Sequence, residues 1–563
     1  MKRGIALTGI VLLGVIAIVV SERRKVTAEA DPSAVLYLVA DSERELTRMP
    51  VRFTRLSDEG EIAIGDELAR YYEADQQTQK DAERLEVEHY LTETGGRLAQ
   101  HAHRKLPYKF HYVSNPSFIN AYALPGGHVF VGAGLMAEMD SEDELAAVLG
   151  HEIEHVDHFH CAERVQVEQA MRRMRLGGLI GLPIEVFQAG YSKDQEMEAD
   201  REGTRLAVEA GYSANGAIRM FETLQRLAGE ERERPRDPGE ELSDVAKQTL
   251  EGYFRTHPLT AERIAQVQQL IASESWPAHA EKDLKVAFVF WTNRAEMAME
   301  AKAYSRAEQL AKHSLELRPG QARALEVLAR AQVAQANFSG AAASYRMLLG
   351  LKPLDTDAAE AYARTLTAAD RKTAEPEFRG WARSAGGEGR EDLQVTIAGL
   401  ALVGGDAGPA AKAAETATAS TNDRAPMWLG HLAWWYYVAG DYATASKLFD
   451  LAVQLRPGEA SFSIGRAWAQ IEERRYSDAI QALDSTSESG TTQAERTMAL
   501  ACAYWLSKQP DAALSELEPA LQQQPEWGNA RWTGALYSPR VVETIGEMQN
   551  EAERRRKAQA ATR

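Results

Sequence analysis

Apolar and polar positions change rhythm along the chain, and each change marks an element. The stretch GDELARYYEADQQTQKDAERLEVEHYLTETGGRLAQHA is rich in helix formers, and Tyr108 to Val113 (YKFHYV) alternates as a half-buried strand does, so residues from about 60 to 115 read as helix, then strand. NAYALPGGHVFVGAGLM divides into a strand, a turn at Leu124–Pro125–Gly126–Gly127, and a second strand from His128 to Val131. Ser141, with Glu144 three residues on, predicts the N-cap of a helix running through the 150s. Ser192 with Gln195 predicts another. Between them, Arg175 to Gly190 is apolar but broken by glycines and Pro183, which reads as a buried turn or loop rather than a membrane span. Gly229 to Asp244 is charged and interrupted by Pro235 and Pro238, an exposed loop and a candidate lid.

The second half has its own period. Pro319, Pro353, Pro457 and Pro525 are spaced by 34, 104 and 68 residues, close to multiples of 34. Twelve residues before each stands Ala307, Ala341, Ala445 or Ala513, and 24 before each stands Ala295, Ala329, Ala433 or Ala501. Ala467 and Ala479 put one more unit in register, and Tyr345, Phe449 and Tyr504 fall at bulky sites. Asp355 to Thr421 keeps Ala363 and Ala411 in register but is otherwise degenerate. The pattern resembles the tetratricopeptide repeat, paired helices with small residues where they touch and proline after the second. About seven units from residue 288 to 525, then a charged terminal helix as a cap, predict a stack with a concave face for peptides or proteins.

Composition narrows the class. The chain has 563 residues, 44% of them hydrophobic, enough for more than one globular domain. A formal net charge of −18 argues against a nucleic-acid binder, which needs a basic face for phosphates. Cys161 and Cys502 make no disulfide framework and read as free thiols. At the start, Lys2 and Arg3 precede seventeen uncharged, mostly apolar residues, Gly4 to Val20, either a secretory signal or a single membrane anchor. Ala28–Glu29–Ala30 has the look of a cleavage site, but Glu22, Arg23, Arg24 and Lys25 separate it from the apolar run. No cysteine follows that run, so no lipid attachment is indicated there.

Chemistry concentrates in GHEIEHVDHFH, Gly150 to His160. His151 and His155 are four apart on a predicted helix, share one face and can grip one ion, and neutral imidazoles suit zinc. A polar helix whose histidines only hydrogen-bond satisfies the same pattern. A catalytic zinc site takes a third protein ligand. Glu196 and Asp200, four apart, could supply it, one carboxylate binding the ion and the other orienting a histidine. Glu198 and Glu202 form a competing pair on another face, and a solvated acidic helix is also compatible. Helix geometry does not choose a general base, because Glu152 and Glu154 both lie about 80° from the bisector of the two histidines.

The segments NAYALPGGHVFVGAGLM, GHEIEHV, EMEADREG and THPLTAERI occur in that order. Together they resemble the zinc metallopeptidase family of the CAAX prenyl endopeptidase and HtpX type, and the repeats make its BepA-like branch the nearest pattern. The resemblance implies His151, His155 and Glu196 as zinc ligands, Glu152 as general base and Asp200 as the supporting partner of Glu196. It matches His257, in H-P-x-x-x-x-R with Arg263, to a histidine that approaches the metal, either steadying the transition state or occupying the open position. One departure stands out: the family commonly has arginine before the histidine that trails H-E-x-x-H, and here Phe159 precedes His160. His158 is expected in a supporting shell or at the surface.

The expected fold is an α+β zincin-like metallopeptidase domain, mostly helical with a small sheet, followed by an all-α tetratricopeptide solenoid. The expected segments are 1–30 (signal or anchor), 31–59 (linker), 60–280 (peptidase), 285–527 (repeats) and 528–563 (capping helix). The expected activity is a metalloendopeptidase with one zinc ion per chain, acting on protein or peptide substrates in cell-envelope quality control. The strand residues Asn120, Ala121, Tyr122 and Ala123 would pair with an extended substrate, and Gly126 and Gly127 would bring the backbone close to the cleft. The repeats would recruit proteins, the N-terminal segment would engage the membrane if uncleaved, and the location would be the periplasm or the periplasmic face of the inner membrane. Two alternatives stay open: a latent peptidase working as a repeat-based chaperone or assembly scaffold, and a zinc aminopeptidase.

Overall fold

A computed structural model describes residues 56–75, 82–166, 190–233 and 244–561, apart from Leu354, Ala385, Glu388, Gly389 and residues 487–490. The N-terminal apolar segment, most of the apolar 175–190 stretch and the middle of the candidate lid, residues 234–243, lie outside the described residues. The described part of that loop up to Glu233 continues a helix. The chain divides into two compact units at Asn293 and Arg294.

In the first unit, helices α1 (Asp58–Asp75) and α2 (Ala82–Ala99) precede strands β1 (Lys109–Val113), β2 (Ala121–Leu124) and β3 (His128–Gly132). The short α3 (Ala133–Met136) leads to α4 (Glu142–Asp157), then α5 (Lys193–Glu209), α6 (Asn215–Glu233), α7 (Asp244–Thr256) and α8 (Ala261–Ser273). Strand order is β1-β3-β2, with β3 parallel to β1 and antiparallel to β2. Strand β2 is therefore an edge strand, and it packs beside α4. The β2–β3 turn needs Gly126 and Gly127, whose φ angles are 76° and 99°. The space these glycines leave is filled by protein: a Cβ on Gly126 would stand 2.6 Å from Ile62 Cα, and one on Gly127 would stand 3.2 Å from Tyr108 Cα. Packing by α1 and Tyr108 against this turn was not visible in the local turn pattern.

Helix α4 is buried from end to end, and its acidic first turn is tied to several elements. The Ser141 hydroxyl accepts from Glu144 N–H as the cap. Glu142 accepts from Tyr90 and Tyr212 hydroxyls at 2.5 and 2.8 Å, and Asp143 accepts the backbone N–H groups of Ser213 and Lys282 at 2.7 and 2.6 Å. Three carboxylates at the positive end of the helix, each with partners, fix its position and rotation. Helix α5 starts with a complete capping box, Ser192 with Gln195. The two helices touch backbone to backbone: a Cβ on Gly150 would lie 2.7 Å from Gly203 O, and one on Gly203 would lie 2.7 Å from His151 N.

Helix α9 (Ala287–Glu300) carries the boundary between the units. The second unit continues with α10 (Tyr304–Leu317), α11 (Ala322–Ala334), α12 (Phe338–Leu351), α13 (Thr356–Thr365), α14 (Ala368–Ser384), α15 (Glu391–Gly404) and α16 (Gly408–Ala419). Then follow α17 (Ala425–Val438), α18 (Tyr442–Leu455), α19 (Ala460–Glu472), α20 (Tyr476–Asp484), α21 (Thr491–Leu506) and α22 (Pro510–Gln523). From α10 to α22 each helix packs on the next, in a tetratricopeptide-type solenoid. The periodic alanines explain the packing: Ala295, Ala307, Ala329, Ala341, Ala363, Ala433, Ala445, Ala467, Ala479, Ala501 and Ala513 are all 0% exposed. Each periodic proline stands two residues beyond a helix end, at Leu317, Leu351, Leu455 and Gln523. Ala411 departs from expectation: it is exposed and Ala410 is buried in its place, because the spacing across this degenerate stretch exceeds a whole number of repeats. Instead of one terminal helix there are two, α23 (Ala530–Leu536) and α24 (Pro539–Ala561), the latter packed on α21 and α22. Both cysteines are free and buried.

The α4–α5 contact yields a test. Gly203→Ala, which forces two backbones apart, is expected to cost about 1–3 kcal/mol in urea denaturation. Gly96→Ala on α2, with nothing within 4 Å of the added methyl, is expected to be neutral or stabilising by up to about 1 kcal/mol.

Candidate metal centre

One turn of α4 and the first turn of α5 face each other across the glycine contact, and the loop after α7 closes over both. His151 Nε2 and His155 Nε2 are 3.1 Å apart. His257 Nδ1 lies 3.1 Å from His151 Nε2 and 3.1 Å from Glu196 Oε1. Glu196 Oε1 lies 3.3 Å from His155 Nε2, and Oε2 lies 3.6 Å from His151 Nε2. All four donors stand within 4.8 Å of one another. Four donors held about 2.0–2.1 Å from one ion in a tetrahedron stand about 3.3 Å apart, so the spacing fits a single shared cation. Three facing imidazole nitrogens also cannot all be satisfied by hydrogen bonds among themselves, whereas each has a lone pair to give a metal.

The centre is closed. His151, Glu152, His155, Glu196 and His257 are each at most 3% exposed. Burial holds His155 well below the usual histidine range, in the neutral form that binds metal. Burial would raise the Glu196 carboxyl, but Arg263, then His257 and His155, overcome it and hold it well below the usual carboxylate range. Asp200 follows the same pattern, with Arg263 overcoming burial. Arg263 Nε and Nη2 donate to Asp200 at 2.6 and 2.7 Å, and Nη1 reaches Glu196 Oε2 at 2.7 Å. Asp200 Oδ1 stands 3.0 Å from His151 Nδ1, the nitrogen facing away from the cluster.

The tie between the two glutamates of H-E-x-x-H is broken by the fold. Glu152 turns inward, its Oε1 3.6 Å from His257 Nε2, with Ala123 N–H of the edge strand beside it and, among the described residues, no side chain hydrogen-bonded to it. Burial pushes its carboxyl up to about 7. Glu154 turns the other way and pairs with His158 at 2.8 Å, which raises His158 to about 9. Glu154, Asp157 and His158 also lie close enough for a cation, but Asp157 accepts from His103 and Arg104 N–H groups at 2.9 and 2.6 Å, so these partners account for the group.

The strand residues lie on and before β2. Asn120 O accepts from Gly132 N–H at 2.9 Å, and Ala121, Tyr122 and Ala123 pair with Val131, Phe130 and Val129. Glu198 pairs with His160 and Glu202 with Arg201 and Arg205, so neither joins the cluster. Tyr191 was not singled out from sequence. Its ring stacks on His155 at 3.7 Å, with Arg164 4.3 Å from its centre. Only its place just before the α5 cap hinted at a role. At the departure position, the Phe159 ring carries the Arg104 guanidinium 3.7 Å from its centre.

Comparison with known proteins agrees with this geometry. Residues 86–271 match the family model for peptidase family M48. The beta-barrel assembly-enhancing protease of Yersinia pestis is 30% identical over 198 residues, covering 31% of this chain and 39% of that protein. Its Escherichia coli K12 counterpart is 24% identical over 270 residues, covering 41% of this chain and 55% of that protein. The mitochondrial metalloendopeptidase OMA1 of Arabidopsis thaliana is 30% identical over 126 residues, covering 21% of this chain and 26% of that protein. The chain thus spans about half or less of the length of the curated relatives it matches. The buried histidine–glutamate cluster lies wholly within the matched span, and residues 86–271 of this chain form a metallopeptidase domain of family M48.

Proposed function

We propose that the chain is a zinc-dependent metalloendopeptidase that hydrolyses peptide bonds of protein substrates, with one zinc ion per chain. The observation that carries this reading is the tetrahedral spacing of the His151, His155, Glu196 and His257 donors with Glu152 beside them. Neutral imidazoles with one carboxylate suit zinc better than calcium or magnesium, which prefer all-oxygen sets. His151, His155 and Glu196 would hold the ion, and Asp200 would fix His151. Bound zinc would supply Lewis acidity, lowering the pKa of water and polarising a scissile carbonyl. Glu152, poised near neutrality, accepts a proton from water and delivers it to the leaving amine. An extended substrate would lie along β2, at Asn120 to Ala123, as sheet edges bind peptides. His257 stands at the fourth corner, so it must withdraw for substrate to enter.

The repeats would select or recruit protein partners. Two of the relatives are named for β-barrel assembly, and we extend that role to this chain as cell-envelope quality control after export to the periplasm. Among the described residues no helix is long and apolar enough to cross a membrane, and the anchor-or-signal question concerns the N-terminal segment. The closed fourth position favours one second reading, a latent peptidase that acts as a scaffold.

Glu152→Gln is expected to lower cleavage of an unfolded protein by about 10²–10⁴-fold while bound zinc stays at one per chain. Retained cleavage would remove Glu152 as the base, and cellular rescue by the same variant would favour the scaffold. A blocked peptide cut at internal bonds would exclude an aminopeptidase. Arg263→Ala leaves Glu196 and Asp200 as uncompensated buried carboxylates. It is expected to cost about 3–5 kcal/mol in denaturant unfolding of the metal-free chain.

A further inference from the structure

We propose that His160 and Glu198 are positioning residues that lock the tautomer and ring orientation of His155. This inference rests on the zinc reading above. His155 presents its two nitrogens to different surroundings. Nε2 faces the donor cluster, 3.1 Å from His151 Nε2 and 3.3 Å from Glu196 Oε1, whereas Nδ1 lies 3.0 Å from His160 Nδ1. A neutral imidazole that gives its Nε2 lone pair to a metal carries its proton on Nδ1. That N–H can be satisfied only if His160 Nδ1 is the acceptor, which places the His160 proton on Nε2. There Glu198 Oε2 waits at 3.3 Å. One proton arrangement satisfies both rings and ends on a carboxylate. The opposite one sets two lone pairs or two N–H groups against each other, and His155 and His160 are 0% and 4% exposed, so water cannot relieve the conflict.

The other ligand histidine is held by a shorter version of the same device. His151 Nδ1 meets the Asp200 carboxylate directly, at 3.0 Å. Glu198 acts on His155 through one intervening imidazole. Both carboxylates come from α5, two and four residues after Glu196, so a single helix supplies one ligand and the outer partners of two more.

The backbone points to the same role independently. His160 is five residues after His155, which on an unbroken helix puts it about 140° around the axis, away from His155. Phe159 interrupts the helix with φ of 62°, an unfavourable conformation for a bulky side chain. That turn sends His160 back against His155. Arg104 holds it in place, stacking on the Phe159 ring at 3.7 Å and donating from Nη1 to Val156 O at 2.7 Å. Arg104 is itself fixed by Asp58 and Glu61, at 2.7 and 2.5 Å, so the strained turn that presents His160 is held from α1.

The test uses the full chain and measures zinc affinity by competition with a chromophoric chelator, together with the visible spectrum of the Co²⁺ form. His160→Ala is expected to weaken zinc binding by about 10–100-fold and to alter the Co²⁺ spectrum. His160→Gln, whose amide oxygen can accept from His155 Nδ1, is expected to recover most of the loss, and Glu198→Ala to fall between. Thermal unfolding of the metal-free proteins separates affinity from folding, and the Gln variant remains informative if the Ala variant does not fold. Wild-type affinity in His160→Ala, or no recovery in His160→Gln, would overturn the relay alone. A wild-type chain that binds no zinc would overturn the zinc reading with it.

Discussion

The centre depends on two helices approaching until their backbones touch. At Gly150 and Gly203 there is no room for even a methyl group, and the consequence is local: His151, the next residue after Gly150, comes within reach of Glu196 and Asp200, about two turns and one turn before Gly203. A helix pair spaced by ordinary side chains would sit 8–10 Å apart, and a carboxylate on one could not share a cation with imidazoles on the other without long, floppy reach. The contact alone would allow sliding. The acidic first turn of α4, held by Tyr90, Tyr212, Ser213 and Lys282, prevents it. Anchoring at the far end of the helix thus fixes where His151 and His155 meet Glu196, and a metal site tolerates only about 0.5 Å of misplacement.

Charge is the second constraint. Glu196 and Asp200 are buried together, a situation that normally drives protons onto carboxylates. One guanidinium, Arg263, touches both and keeps them ionised. It neutralises only one of the two charges, and Glu152 adds a third carboxyl on the opposite side. A divalent cation on the cluster would balance what Arg263 leaves over. The assignment of Arg263 is therefore electrostatic: it prepares Glu196 to be an anionic donor and frees Asp200 to fix His151.

The legible parts were those written in local period. The four-residue spacings of His151 with His155 and Glu196 with Asp200, the cap residues Ser141 and Ser192, and the recurring alanines and prolines all follow from helix geometry, whereas the zincin-like class rests on the family resemblance. What local period cannot express is the meeting of distant segments. Glu152 and Glu154 are equivalent on an isolated helix and differ only once β2 and His257 lie on one side. The spacing left open which of Glu196 and Asp200 binds and which orients, the resemblance gave Asp200 to Glu196, and the fold sets Asp200 against His151. Gly126 and Gly127 announced a turn, but only tertiary packing reveals that α1 and Tyr108 occupy the space beside them. Ala411 failed because a repeat count carried across a degenerate stretch slips by a residue without any local sign.

Closure and chemistry make opposite demands on His257. A zinc site with four protein donors is a structural site, whereas hydrolysis needs one corner free. His257 is the donor best suited to leave. His151, His155 and Glu196 project from within helices whose N-termini are capped by Ser141 and Ser192, while His257 follows the last residue of α7, in the turn before α8. Its backbone keeps one helical bond, from His257 N–H to Tyr253 O at 2.7 Å, and the adjoining Thr256 O accepts from Tyr191 N–H at 3.1 Å. Arg263, one turn into α8, remains tied to Asp200, so the turn can move while the charge balance stays fixed. On the proposed reading the same three ligands would then serve two states, one sealed by an imidazole and one open to a peptide. The energy separating them would be that of a single histidine's donor bond and its packing against Tyr253.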